Sequence, residues 1–285
     1  MVARFPFPKF CLPAAIAAAA LGGPVCGQSY IASEDEAFYE AYRDGWETGD
    51  NGGRGFGAWR LLAPEAVSAD PDAEQYAGFF LAEAGRESDL TGVAREGRAF
   101  GIFANGTGFE STVAFRPFDR ALNPGDVFSL RFEFDGFKRK FASDSEKIAS
   151  AGIGLRSEAE ADSMEALAGS RALVVAVVEG LSTYQIFDAA GRFNTRVFLD
   201  PDGVAIGITL REDGRYDARL RTLGNDKVTR FDNRRLRRPV AQAEAPDDGA
   251  AEAPGVRGFV VFNLNGGAHN VYFGAPQVSR REGAL

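Results

Sequence analysis

The nine residues Val127–Asp135, VFSLRFEFD, decide how the rest of the chain is read. Phe128, Leu130, Phe132 and Phe134 fall on one parity, and Ser129, Arg131, Glu133 and Asp135 on the other. Period-two alternation sends one set to a core and the other to an outer face, as in a half-buried antiparallel strand. Asn123-Pro124-Gly125-Asp126 just ahead of it is a turn sequence.

The same reading extends in both directions. Upstream, Ala77 to Ala82, Arg98 to Ala104 and Ser111 to Arg116 are short apolar or alternating runs, the second closed by Asn105-Gly106. Downstream come Ala151 to Arg156, the strongly apolar Arg171 to Val178, Thr183 to Asp188 and Phe193 to Phe198. Asp200-Pro201-Asp202-Gly203 turns the chain into Val204 to Leu210, and Glu212-Asp213-Gly214 turns it again into Tyr216 to Leu223, a hairpin signal. Gly258 to Asn263 and Asn270 to Phe273 are the last two, separated by Gly266-Gly267. Glu158 to Leu167 is acidic and helical in character, a surface excursion. About twelve to fourteen short strands with no long periodic helix predict an all-β antiparallel two-sheet sandwich carrying only short surface helices. No fixed-period repeat supports a propeller or solenoid.

The composition fits. The chain has 285 residues, with 24 Phe and 34 Gly, the mixture expected of aromatic-rich strands divided by turns. Its net charge of -8 argues against a nucleic-acid partner, because phosphate contacts need a basic surface. One His and two Cys leave little material for a thiolate or imidazole metal site or for a Ser-His-Asp triad.

The first 27 residues read as a signal peptide: Arg4 and Lys9, an apolar Ala-rich run from Phe10 to Leu21, and Val25 and Gly27 as the small residues before cleavage at Gln28. The run is short of the ~20 residues of a membrane span, so export is expected with no transmembrane segment after processing. Cleavage would remove both cysteines, Cys11 and Cys26, and two positive charges, making the mature chain more acidic. Lipidation at Cys26 is an alternative, but Gly23-Pro24-Val25-Cys26 fits poorly: such a site wants Leu three residues before the Cys and Ala or Gly next to it. Residues 28–43 form an acidic arm, in which Glu34 to Arg43 could make a short helix anchored by Phe38, Tyr39 and Tyr42. Residues 44–285 then form one sandwich domain, with a low-complexity, disordered insert at 241–254.

Four pieces carry a resemblance. They are Gly45-Trp46 with Gly49-Asp50-Asn51-Gly52-Gly53 and Gly55-Phe56-Gly57-Ala58-Trp59, then Gly97 to Asn105, then Gly125 to Phe128, and last Phe262-Asn263-Leu264-Asn265 with Asn270 to Phe273. Together they resemble bacterial exported β-sandwich proteins, and the whole, over Asp44 to Val278, is similar to the concanavalin A-like jelly-roll group of lectins and glucanases. The resemblance implies a jelly roll. Its laminarinase-type members carry Glu-x-Asp-x-x-Glu on one strand, with a nucleophile and an acid/base. Glu133 and Asp135 begin that pattern, but Lys138 stands where the acid/base Glu belongs.

Other candidates follow from residue chemistry. Trp46, Trp59 and Tyr272 offer rings able to stack on sugars, or else to fill the core. Asp50 with Asn51, and Asp200 with Asp202, supply the oxygen ligands that calcium prefers, although Asp-Pro-Asp-Gly is also an ordinary turn and no EF-hand loop is present. His269 beside a Gly-Gly turn reads as a surface or capping residue. Arg230, Arg234, Arg235, Arg237 and Arg238 read as a solvated basic face near the acids Glu244, Asp247, Asp248 and Glu252. The leading expectation is an exported, non-enzymatic module that binds a glycan or another cell-surface ligand, or serves in the cell envelope. The alternative is a glycan-active jelly-roll hydrolase, which needs two carboxylates about 5 to 9.5 Å apart in a concave cleft. Ligand identity and oligomeric state are not written in the sequence.

Overall fold

A computed structural model describes residues 29–63, 77–86, 90–105, 110–134, 136–137, 148–160, 163–238, 255–264 and 269–281. Its first six strands are β1 (Ser29–Glu34), β2 (Arg60–Leu62), β3 (Ala77–Glu83), β4 (Arg98–Ala104), β5 (Ser111–Leu122) and β6 (Val127–Phe134). The next five are β7 (Ser150–Arg156), β8 (Arg171–Val178), β9 (Thr183–Asp188), β10 (Gly191–Phe198) and β11 (Val204–Leu210). The last four are β12 (Arg215–Thr222), β13 (Val228–Arg235), β14 (Val256–Leu264) and β15 (Val271–Arg281). One short helix, α1 (Met164–Gly169), precedes β8; the Ser163 hydroxyl caps it by accepting from the Ala166 amide.

The strands make two sheets. The first runs β13-β12-β11-β6-β15-β4-β3, and the second β10-β9-β8-β7-β14-β5-β2. Every named pairing is antiparallel. β15 is long enough to be shared: its first residues pair with β4, and after a bulge between Gly274 and Gln277 its end pairs with β1. This is an all-β, antiparallel two-sheet sandwich. Among the described residues no helix is long and apolar enough to cross a membrane.

The alternation of β6 explains its central place. Phe128, Leu130, Phe132 and Phe134 are all buried between the sheets. They lie beside Val204, Ile206 and Ile208 of β11 and Val271, Phe273 and Val278 of β15 on the same inner face. The Phe excess is mainly core. Trp46 and Trp59 meet edge to face at 5.1 Å, and Phe100 stacks on Phe273 at 5.2 Å.

Two expectations need correction. The acidic arm is not separate from the sandwich: β1 pairs with β15, and Asp35 and Glu36 are buried. The residues of β1 are largely exposed, so its strand character comes from its partner's unsatisfied backbone, not from an apolar pattern. Within the described residues 29–43 only Glu40–Tyr42 is helical, a single 3-10 turn. The arginine run is likewise no simple solvated face, since its first part is β13. Arg234 turns inward, where its Nε donates to Asp188 Oδ2 of β9 at 2.6 Å. The Tyr216 hydroxyl of β12 donates to the same oxygen at 2.7 Å, so one buried acid links the two sheets. The signal peptide, Cys26 and the 241–254 insert with its acids lie outside the described residues.

A second buried network holds the N-terminal segment. Arg116 of β5 and Asp35 are both fully buried and form an ion pair through Nη1 and Oδ2. Arg116 Nε donates to the Gly57 carbonyl at 2.9 Å, and Nη2 donates to the Gly52 carbonyl at 2.7 Å and to Asn51 Oδ1 at 2.9 Å. Trp59 Nε1 donates to the Tyr42 hydroxyl at 3.0 Å, and that hydroxyl donates to Asp35. Gly53, at φ +71, lets the loop come against β1: a Cβ there would lie 2.0 Å from the Glu34 carbonyl oxygen. Asp35→Ala leaves a buried guanidinium without its counter-charge, which costs about 3–5 kcal/mol. Urea unfolding followed by tryptophan fluorescence is expected to show a loss of that size, since both tryptophans border the network.

Candidate functional site

The outer face of the first sheet is built by the polar parity of β6. Ser129 lies level with Gly207 of β11 and, beyond it, Arg219 of β12. Arg131 lies level with Ala205 and, beyond it, Arg221. Glu133 lies level with Tyr272 of β15, then Gly101 of β4 and Phe80 of β3.

A loop divides this face in two. Leu90 and Val93 pack on Tyr272, Ala82 and Ala99, with Phe80 at the edge. The loop comes so close to the sheet that a Cβ at Gly274 would lie 2.6 Å from the Val93 carbonyl, and one at Gly92 would lie 2.0 Å from the Asp202 carbonyl. It therefore crosses above β6, and Arg131 Nη1 fastens it by donating to the Gly92 carbonyl at 3.0 Å. Glu133 is left 1% exposed.

The other half is open. Ser129, Ala205 and Gly207 form a floor of small residues, with Arg219 and Arg221 along one side, around a trough of about 560 Å³. Arg230 of β13 pairs with Arg219 and is exposed on the rim. Three of the nearby acids are already engaged. Glu36 holds Arg95 at 2.7 Å, Asp226 meets Arg221 at 3.3 Å, and Asp217 is held by Arg211 and by the Asn233 amide. Arg219 and Arg230 make no ion pair among the described residues. Burial lowers the Arg131 pKa, Arg95 and Arg221 push it the same way, and Glu36 opposes them. A guanidinium flanked by two others marks a place where an anion is favoured.

The residues singled out from sequence are dispersed. Glu133 lies beneath the loop, while Asp135 and Lys138 lie outside the described residues. Trp46 and Trp59 have 5% and 0% exposure and present no ring face to a ligand, because those faces pack on Phe100 and Phe273. Tyr272, at 5%, is covered by Leu90 and Val93. Asp50 and Asn51 do not converge on a cation: Asp50 Oδ2 accepts from the Glu47 amide at 2.7 Å, and Asn51 Oδ1 accepts from cationic Arg116. Asp200 and Asp202 do converge. Asp200 Oδ1 and Asp202 Oδ2 lie 2.7 and 2.4 Å from the point where a Gly224 Cβ would stand. Asp200 Oδ1 accepts from the Asp202 amide at 3.0 Å, and Oδ2 accepts from Asn225 Nδ2 at 3.4 Å. Among the described residues no three His, Cys, Asp or Glu side chains gather as a metal cluster. His269 sets its ring edge to face with Phe134 at 6.4 Å.

Arg219 and Arg221 carried no weight in the sequence reading. Their signal was there: in RYDARLRT they share one parity with Asp217, opposite Tyr216, Ala218 and Leu220. Only the sheet shows that this parity joins the polar face of β6 across β11.

Neither a family model nor a curated protein matches the sequence. Solved structures match in shape. A sialidase aligns at TM-score 0.45 and 10% identity over 79% of this chain, which spans only 17% of that protein. A legume lectin-like domain from Entamoeba histolytica aligns at TM-score 0.39 and 10% identity, covering 75% of this chain and 98% of the domain. A β-1,3-glucanase from Mycobacterium marinum aligns at TM-score 0.35 and 11% identity, covering 77% and 90%.

The Glu36–Arg95 pair gives the site a pH signature. Burial raises the Glu36 pKa above 4.5, against the hydrogen bond and charge of Arg95. Between 4.5 and that raised value the folded chain keeps a proton that the unfolded chain has released. The resulting stability is complete below 4.5 and is lost as pH rises through the folded pKa. Urea titrations from pH 4 to pH 7 are expected to show the stability of wild type falling relative to Glu36→Gln across that window. A pH-independent difference would contradict it.

Proposed function

We propose that the protein is an exported, non-catalytic glycan-binding sandwich whose trough takes an anionic sugar chain, one bearing carboxylate or sulfate groups. The observation that carries the reading is the arginine-lined trough over a floor of Ser129, Ala205 and Gly207. On a chain of net charge -8, a local excess of guanidinium groups stands out against the rest of the surface. The trough has the size of a small-ligand site, and small floor residues leave room for a sugar ring above the sheet. Guanidinium groups bind carboxylate and sulfate oxygens in a planar fork. The apolar run at Phe10 to Leu21 and the small residues before Gln28 support export. The buried position of Glu133 favours binding over hydrolysis, because a carboxylate beneath a packed loop is out of reach of a glycosidic bond.

The test is titration of the protein with dextran sulfate and polygalacturonate against neutral dextran. The double variant R219E/R221E is expected to bind the anionic polymers at least about tenfold more weakly, the loss of one or two charge-assisted contacts. Gly207→Trp is expected to do the same by filling the trough, since a Cβ at this position has no neighbour closer than 4.0 Å. Binding unchanged in both variants, or equal affinity for neutral dextran, defeats the reading.

For calcium, Asp200 and Asp202 are the better pair, with two carboxylates close to one another beside Gly224 and no cationic side chain on either among the described residues. Calcium needs about six to eight oxygens, so loop carbonyls and water would have to complete the shell. Millimolar calcium is expected to raise the melting temperature of wild type and to leave Asp202→Ala unchanged. The same shift in both would remove this pair from consideration.

A further inference from the structure

The outer face of the second sheet carries a different groove. β7 lies between β8 and β14, and its outward residues are Ser150, Gly152, Gly154 and Arg156. No side chain rises from the two middle positions. Gly152 is level with Ala176 on one side and Phe262 on the other, and Gly154 with Val174 and Val260. These flanking residues join Val113, Phe115 and Leu167 in one apolar cluster, with Met164 of α1 packed against it. Over this face lies a groove of about 360 Å³, lined by Val174, Ala176 and Phe262 with Ser150 and Arg156 at the two ends of β7, and roofed on one side by α1. It ends near Ile148, which is apolar and 65% exposed.

Arg156 closes the other end. It is 5% exposed, and its Nε and Nη1 atoms are buried with no hydrogen-bond partner among the described residues. Among the described residues no carboxylate lines the groove, and the other cations on its wall are Arg171 and Arg192. Burial lowers the Arg156 pKa to about 9, and Arg171 pushes it the same way. A buried guanidinium with two orphan donors is costly unless an anion answers it. Among the described residues no neighbouring group supplies that anion.

We propose that this groove binds a long-chain carboxylate, a fatty acid, with its head on Arg156 and its alkyl tail along β7 toward Ile148. Charge complementarity selects the head, since a carboxylate accepts a charge-assisted hydrogen bond from the guanidinium. The apolar wall selects the tail, and the run from Ser150 to Arg156 gives it about 20 Å. A peptide suits the groove poorly. Both edges of β7 are already paired, so no backbone is free to extend the sheet, and a peptide's own amides and carbonyls would be buried without partners.

The test uses the full chain and displacement of a fluorescent dansyl-undecanoate probe. Hexadecanoate is expected to compete strongly, octanoate weakly and hexadecyltrimethylammonium not at all. Arg156→Met keeps the apolar wall and removes the charge. It is expected to weaken hexadecanoate at least about tenfold, the worth of a charge-assisted contact, while hexadecanol binds as before. Ala168→Trp, at an exposed position of α1 that lines the groove, fills it and is expected to abolish probe binding. Dextran sulfate binding should be unchanged in Ala168→Trp, which separates this groove from the trough on the other sheet. Failure of wild type to bind the probe, or undiminished hexadecanoate binding by both variants, overturns the proposal. If Arg156→Met does not fold, Ala168→Trp alone decides. Displacement by an apolar peptide but not by hexadecanoate would overturn it in favour of a protein partner.

Discussion

The ion pair between Arg116 and Asp35 is the contact on which the assembly of this sandwich turns. Two sheets packed face to face leave their ends to be closed by loops, and the long loop here, from Asp44 to Trp59, is rich in glycine and poor in regular structure. Its carbonyls need donors once they are buried. Arg116 supplies them from the middle of β5, reaching the Gly57 and Gly52 carbonyls and the Asn51 side chain. That places a full positive charge between the sheets. Asp35 neutralises it from the end of β1, and Tyr42 and Trp59 complete the hydrogen bonding of the acid. One guanidinium thus fixes the loop, orders the N-terminal segment, and holds β1 where it can pair with the end of β15. The Asp188, Tyr216 and Arg234 cluster repeats the arrangement at the opposite edge, where a single buried acid links β9 to β12 and β13.

With the interior fixed in this way, the two outer faces are free to differ. Both have small residues on a central strand or its neighbour: Gly207 and Ala205 in the first sheet, Gly152 and Gly154 in the second. At Gly207 the missing side chain leaves open space, whereas at Gly152 the neighbouring strand comes within 2.3 Å of where a Cβ would stand, so the second groove lies over the flanking rows. The first trough has arginines beside it and is open to water, so it suits a hydrated anion. The second has valines, phenylalanine and leucine beside it and the buried Arg156 guanidinium at its end, so it suits an apolar chain with one charged terminus. The two faces serve two chemistries because the neighbours differ.

Most of the strand pattern is legible in the sequence. β3, β4, β6, β8, β9 and β11 follow from apolar runs and turn signals within a residue or so. β1 and β13 do not. β1 is polar and exposed, and it exists because β15 offers it an open edge. β13 has Phe231 as its only large apolar residue on the inner parity, and its arginines imitate a solvated face. Propensity and periodicity report what a segment buries, whereas edge pairing is a backbone transaction that leaves little mark on side-chain type.

The candidate site was legible only in part. Alternation alone determines that Ser129, Arg131 and Glu133 share a face opposite the phenylalanines, and this holds in the structure. Cover is a different matter. The loop through Leu90 and Val93, distant in sequence, seals Glu133 and Tyr272 and leaves Ser129 open. Trp46 and Trp59 lie in the core because Phe100 and Phe273 from other strands close over them. The sequence by itself determined the strands, their parity and the two-sheet class, because these depend on local period and on the need to bury phenylalanine. The tertiary structure alone decided which polar residues meet solvent, which meet one another and which are shut away, because these depend on pairing order and on loops that cross from elsewhere in the chain.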